Sequence, residues 1–523
     1  MVGPAPPNEG KSAHGDTRHR DGTSVPEAAT LARRDEVASL RVQTPMNSNQ
    51  PGQIWLVVDD LVVYNNTDGK MVGIFRYVVE LERSLSAILG GGRVRFLSSA
   101  GAAFGVGHFG YRYREISREE FGWRCARLES PVMRSAQEDA PAERSSGFRP
   151  VYRRLMAGLP PRMHRHLRAF GKAQVRAVTS QARALVEFAF FLAALVGLPD
   201  PHFQSLRHAV LSWVRPWKPA PGDVVMVLGA GWFDLSLGAK LRRAQSQFGV
   251  RCAALVYDLI PINAPQFVTE PFGTVFETYI NALVSTCSIL FTISEFTKRE
   301  LESYKDKYSA RGPASQGIVA LPTGSGLQHR STGDRPLGLP AAGTYAVFVS
   351  SIEPRKNHAF AVEVWTHLYA LLGEATPKLY FIGGVAPMLQ QFVEDARRGA
   401  LHGKAFEFLG RLSDSELNHM YDGSLFSFFP SLYEGWGLPV SESLARGIPC
   451  FASRSSALPE AGGELAIYID IRDAEGTAKT IEGYVRDRDK LTTIRERISN
   501  EYRNVSFDDT ARSLLAALAA DAA

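Results

Sequence analysis

Apolar residues in this chain gather in short unbroken runs, separated by stretches with helical spacing. The first run, Ile54-Trp55-Leu56-Val57-Val58, ends in Asp59 and Asp60. A run that is apolar at consecutive rather than alternate positions predicts a strand buried on both faces, and helical spacing follows over 74–89. Further runs at 224–228, 252–257, 289–293 and 318–321 alternate with helical stretches such as 276–285 and 295–304. A second series begins at 345–349 and continues at 379–382, 406–409, 425–429, 449–452 and 466–468, with helices over 359–372 and 414–421. Ser413 followed three residues later by Glu416 predicts a capping box for the second of these. The chain closes on helical spacing over 510–520.

Strands alternating with helices predict parallel, doubly wound α/β sheets, in which ligands bind outside the carboxyl ends of the strands. The pattern divides the chain as follows. Residues 1–50 show no sustained period and read as a disordered tail, with Met46 an alternative start. A first domain spans 51–328 and carries an insertion over about 151–218. A Gly-, Pro-, Ser- and Thr-rich linker follows at 329–343. A second domain spans 344–500, and 501–523 forms a C-terminal helix.

Composition narrows the class without naming a function. The 523 residues are 45% hydrophobic and 22% charged, which excludes a wholly disordered, collagen-like or fibrous chain. Cys125, Cys252, Cys287 and Cys450 are scattered, so no structural zinc is expected and a reduced compartment, the cytoplasm, fits. No apolar segment of a signal peptide precedes residue 50. The stretch 184–198 is interrupted by Glu187 and falls short of the roughly 20 residues needed to span a bilayer.

The net charge of +5 hides an uneven distribution. Between 151 and 218, eleven Lys and Arg residues face only Glu187 and Asp200; outside that segment 48 basic residues face 52 acidic ones. Arg165, Arg168, Lys172, Arg176 and Arg183 share one helical stripe, and Met163, Leu167, Phe170, Val178 and Leu185 the opposite one. Such an insertion suits an anionic membrane surface, or packs its apolar face on its own domain. Nucleic acid is disfavoured, because the basic stripe has no interleaved aromatics.

The densest chemistry lies in Pro430-Ser431-Leu432-Tyr433-Glu434-Gly435-Trp436-Gly437-Leu438-Pro439-Val440-Ser441-Glu442-Ser443-Leu444-Ala445-Arg446-Gly447-Ile448-Pro449. A strand precedes it, Gly435 and Gly437 make a turn, Pro439 suits a first helical turn, and Gly447 ends the helix. Backbone N–H groups at that helix start would favour a phosphate. Glu434 and Glu442 can face one cleft, where carboxylates accept hydrogen bonds from vicinal hydroxyls. Alternatively, both are solvated glutamates on an ordinary strand–turn–helix.

This string resembles the Glu-x7-Glu signature of the retaining glycosyltransferases of family 4, which have the two-Rossmann fold called GT-B. Val349-Ser350-Ser351-Ile352-Glu353-Pro354-Arg355-Lys356-Asn357-His358 is similar to the family loop whose Arg-Lys pair grips the donor diphosphate. The segments 381–384, 408–417 and 455–463 resemble further parts of the family's donor domain. In the first half, Val72-Gly73-Ile74-Phe75-Arg76-Tyr77 is similar to the family's first glycine loop. Tyr257-Asp258-Leu259-Ile260-Pro261 resembles a motif that often begins His-Asp, with Tyr257 in the histidine's place.

The resemblance implies retaining transfer from a nucleoside diphosphate sugar to a glycan or lipid-linked acceptor, with no cofactor and no metal. GDP-mannose is a common donor in the family. It assigns Arg355 and Lys356 to the leaving diphosphate and Glu434 to the sugar. Asp258 goes to the acceptor or its proton, unless it only caps a turn. Glu442 goes to the ribose, and Gly435, Trp436, Gly437, Leu438, Gly73, Ser294 and Gly383 to the donor site. Ser294 is equally suited to capping the next helix. A sugar phosphate synthase or phosphorylase, a silent partner subunit and a membrane adaptor are the competing readings.

Overall fold

The computed structural model describes residues 52–58, 74–99, 113–119, 121, 217–307, 316–325, 335, 336 and 338–522. Gly73, the tail 1–50, Cys125 and nearly all of the insertion 151–218 lie outside the described residues. The described part belongs to one compact unit, Pro51–Ala523.

The first sheet is built from β1 (Ile54–Val57), α1 (Ile74–Leu89), β2 (Val94–Ser99), β3 (Tyr113–Ile116), β4 (Val224–Val227), α2 (Leu237–Phe248), β5 (Arg251–Val256), α3 (Glu270–Thr286), β6 (Ile289–Thr292), α4 (Glu295–Lys307) and β7 (Gly317–Ala320). Its strand order is β3-β2-β1-β4-β5-β6-β7, and only β3 runs antiparallel. All four residues of β1, β4 and β6 are buried, as strands covered by helices on both faces must be. One face packs with Leu81, Leu85, Phe96 and Met226, the other with Val227, Leu241, Ile280 and Leu283. Trp217, the described end of the insertion, packs edge-on against Trp55, Tyr113 and Phe248.

The second sheet follows with β8 (Tyr345–Val349), α5 (His358–Leu372), β9 (Lys378–Ile382), α6 (Gln390–Arg398), β10 (Phe406–Gly410), α7 (Asp414–Asp422), β11 (Ser427–Phe429), α8 (Leu438–Ala445), β12 (Cys450–Ser453), α9 (Leu458–Gly462), β13 (Ile467–Ile469), α10 (Ala474–Arg486) and α11 (Arg488–Glu501). It is wholly parallel, in the order β10-β9-β8-β11-β12-β13. The Ser413–Glu416 capping box is formed at α7. Two doubly wound domains facing a cleft, the GT-B arrangement, is therefore the architecture of the molecule.

The last helix, α12 (Phe507–Ala520), starts three residues earlier than its spacing suggested, at a second capping box made by Ser506 and Asp509. Its apolar face, Phe507, Ala511, Leu514 and Leu518, joins the core of the first sheet rather than the second. The chain thus crosses back and straps the two domains together. Among the described residues, no helix is long and apolar enough to cross a membrane.

Candidate active site

The order of the second sheet reverses between β8 and β11, the place where open α/β sheets bind ligands. The segments leaving those two strands carry the motif residues. Gly383 seats the first of them: its N–H bonds Gly410 O at 2.8 Å, and a Cβ there would stand 1.8 Å from Ser350 O. The chain then turns at Asn357, whose φ of 62° is one that Asn tolerates, into α5.

Half-buried Arg355 joins buried Lys356 and Glu434 in one cluster. Arg355 Nη1 donates to Glu434 Oε2 at 2.6 Å, and Lys356 Nζ to Glu434 Oε1 at 2.5 Å. Ser431 Oγ adds a bond to Oε1 at 2.6 Å, and Arg355 Nη2 pairs with Glu353 at 2.7 Å. Lys356 also lies 5.0 Å from the centroid of Phe429. Burial alone would raise the Glu434 carboxyl, but Arg355 and Lys356 hold it down at about 2. Burial and the neighbouring Arg355 push the Lys356 amine below its ordinary value. Ser431, Ser456, whose hydroxyl accepts from Glu434 N at 2.7 Å, and Glu353 were not singled out in the sequence. Only their closeness to the motif residues signals them.

Glu442 is buried on α8, whose first turn follows Gly437 at φ 119°. Tyr421 O–H donates to Glu442 Oε2 at 3.0 Å, and Arg76 of α1 stands 3.9 Å from Oε1 while bonding Asp414 at 2.6 Å. Burial raises this carboxyl, with Arg76 and Tyr421 opposing. Leu438 opens α8, and its carbonyl accepts from Ser441 Oγ at 3.0 Å.

Several residues expected at the donor site lie along the seam between domains. A Cβ on Gly435 would lie 2.1 Å from Tyr257 O, so glycine there lets the signature turn touch the end of β5. Trp436 packs against the cores of both domains. Ser294 caps α4: its Oγ accepts from Thr297 N and donates to Thr297 Oγ1, each at 3.0 Å.

Asp258 does cap a turn, accepting from Ile260 N at 3.0 Å. It also lines a cavity of about 270 Å³ with Trp232, Phe272, Tyr279, Glu353 and Arg355. Burial raises its carboxyl, opposed by Arg355, which makes it a stronger proton acceptor than an exposed aspartate. Cap and cavity wall are compatible roles.

Glu300 on α4 gave no sequence signal. It accepts from Tyr433 O–H and from Asn263 Nδ2, the latter at 2.7 Å. Burial pushes its carboxyl from the ordinary 4.5 up to about 7, with Asn263 opposing and Asp258 adding to the rise. The folded chain therefore holds this proton where the unfolded chain releases it. Stability should fall as pH rises from about 4.5 to about 7. Thermal unfolding of the wild type and Glu300→Gln across that range checks the sign: the variant should lose less stability, and parallel curves would contradict it.

Residues 330–504 match the family model described as glycosyl transferases group 1. The chain is 24% identical over 258 residues to the O-antigen chain mannosyltransferase B of Escherichia coli, covering 45% of this chain and 62% of that one. It is 28% identical over 250 residues to the serotype-specific mannosyltransferase WbdA of Escherichia coli, covering 45% of this chain and 30% of that one. The chain thus spans less than two thirds of the length of these curated relatives. Among solved structures, an α,α-trehalose-phosphate synthase (UDP-forming) from Burkholderia vietnamiensis aligns with a TM-score of 0.46 at 15% identity, over 61% of this chain and 74% of that one.

Proposed function

We propose that the protein is a retaining glycosyltransferase of family 4 that moves a sugar, mannose from GDP-mannose in the first instance, to a glycan or lipid-linked acceptor in cell-surface polysaccharide assembly. The observation that carries this reading is the Arg355–Lys356–Glu434 cluster, with Lys356 and Glu434 buried, at the switch point of the second sheet. The match over 330–504 and the relatives named mannosyltransferases support it.

In this reading the bond between the anomeric carbon and the β-phosphate oxygen breaks, and both its electrons leave with the diphosphate. Arg355 and Lys356 stabilise that charge. The acceptor oxygen bonds the anomeric carbon on the same face, and its proton passes to the departing phosphate oxygen. Asp258 orients the acceptor hydroxyl. A carboxylate offers about four acceptor positions. Glu434 uses three of them on Lys356, Ser431 and Arg355, which leaves one on Oε2 for a sugar hydroxyl. Glu442 Oε1 serves the ribose. No metal or cofactor is part of the proposal. A place at the cytoplasmic face of a membrane, reached through the basic segment 151–218, belongs to it and rests on the charge of that segment.

Incubation with GDP-mannose, UDP-glucose and UDP-N-acetylglucosamine tests the reading. Nucleoside diphosphate should be released fastest from GDP-mannose, and the product sugar should keep the donor's anomeric configuration by NMR. Release from a different donor would correct the sugar; inversion would correct the mechanism. No release from any donor would overturn the reading.

A further inference from the structure

Helix α4 belongs to the first domain, yet its opening turns are held by the second. Glu460 on α9 accepts from Glu295 N at 2.7 Å through Oε2 and from Phe296 N at 2.6 Å through Oε1. These are the first two N–H groups of α4, which no intrahelical carbonyl can reach. The carboxylate there also faces the positive end of the helix dipole. Arg299, one turn on, stands 3.8 Å from the same carboxylate.

The next residues of α4 meet the loop that carries Glu434. Thr297 Oγ1 lies 3.4 Å from both Gly435 O and Tyr257 O. Phe296 packs edge-on against Tyr433 at 5.7 Å. Tyr433 donates its O–H to Glu300. Five residues within two turns, Glu295, Phe296, Thr297, Arg299 and Glu300, therefore grip the segment 433–435 and Glu460 together. These contacts are largely polar, of the kind that permits domains to move relative to one another. A helix shifts as a rigid unit, so release at Glu295 and Phe296 loosens the contacts at Thr297 and Glu300 as well.

We propose that Glu460 is a positioning residue. Its carboxylate pins α4 to the second domain and so holds Asp258, on the acceptor side, in register with the Glu434 loop on the donor side. The inference rests on the glycosyltransferase reading for its kinetic consequence only. The clamp bears on Tyr433 and Gly435, which flank the Glu434 assigned to the sugar. Arg355, Lys356 and Glu442, assigned to the diphosphate and ribose, make none of these contacts, so the clamp should serve alignment of the sugar rather than affinity for GDP. Misplacement by about 1 Å can cost on the order of 100-fold in rate.

The test uses the full chain with Glu460→Ala and Glu460→Gln. Glu460→Ala should lower kcat at least about tenfold, with the Kd for GDP unchanged within about threefold. Glu460→Gln, which keeps one acceptor oxygen, should recover part of the loss. Distances between spin labels placed on the two domains should broaden in Glu460→Ala and narrow again in Glu460→Gln. Wild-type kcat in Glu460→Ala, or a parallel loss of kcat and GDP affinity, would overturn the proposal. If no donor is turned over by the wild type, the glycosyltransferase reading fails alone. The label distances then decide the clamp: broadening supports it, and an unchanged distribution overturns it.

Discussion

Replacing Glu434 with alanine should destabilise the protein by about 3 kcal/mol, the lower end of the range for breaking a buried ion pair. The cost comes from what is left behind. Lys356 loses its only short carboxylate contact among the described residues, at 2.5 Å, and is itself buried. Arg355 keeps Glu353 at 2.7 Å, which places the loss at the lower end. Because Arg355 and Lys356 overcome burial and hold Glu434 at about 2, the pair's contribution is complete above the ordinary carboxyl value of 4.5. It fades as pH falls towards about 2. Urea unfolding at pH 7 and again near pH 3 checks both statements. The gap between wild type and Glu434→Ala should shrink at the lower pH, and an equal gap at both would remove the charge cluster as its cause.

That network shows where reading the chain alone stops. The strand runs were legible because strands buried on both faces need consecutive apolar residues. β1, β4 and β6 are such strands, buried at every position. β2 and β3 escaped because Val94-Arg95-Phe96-Leu97-Ser98-Ser99 and Tyr113-Arg114-Glu115-Ile116 mix polar residues into short runs at the sheet edge. The helix α12 was visible as a period, but a period shows that a face is apolar, not which core will take it. The motif residues were legible through resemblance, yet their pairing was not. Assigning Glu434 to the sugar and Arg355 with Lys356 to the diphosphate separates three groups that share hydrogen bonds. Glu460 and α4 lie 165 residues apart in the chain, and nothing local marks either as a partner of the other. Ser294 illustrates the converse: a short polar residue at a strand end serves a cap or a ligand equally well in sequence. Its bonds to Thr297 place it as a cap.

Lys356→Ala should separate chemistry from stability more cleanly than any other change in the cluster. With Lys356 gone, Glu434 still accepts from Arg355 and Ser431 at 2.6 Å each, so no carboxylate is left buried without a partner. The ammonium was also held at a cost, since burial and Arg355 depress its pKa. The unfolding midpoint should therefore move less than in Glu434→Ala. Turnover should not be spared. A fixed cation binds a diphosphate in the ground state and more strongly in the transition state, where charge accumulates on the bridging oxygen, and loss of one such group costs about 10²–10³-fold in kcat. Lys356→Arg keeps the charge but replaces a compact ammonium with a longer planar fork beside Phe429. It should recover binding of GDP more fully than it recovers rate. Single-turnover rates at saturating donor, measured beside the unfolding midpoints, decide the matter. If Lys356→Ala turns over donor at the wild-type rate, the leaving-group role passes to Arg355 and the N-terminus of α8. If it unfolds as readily as Glu434→Ala, Lys356 holds the fold together rather than the transition state.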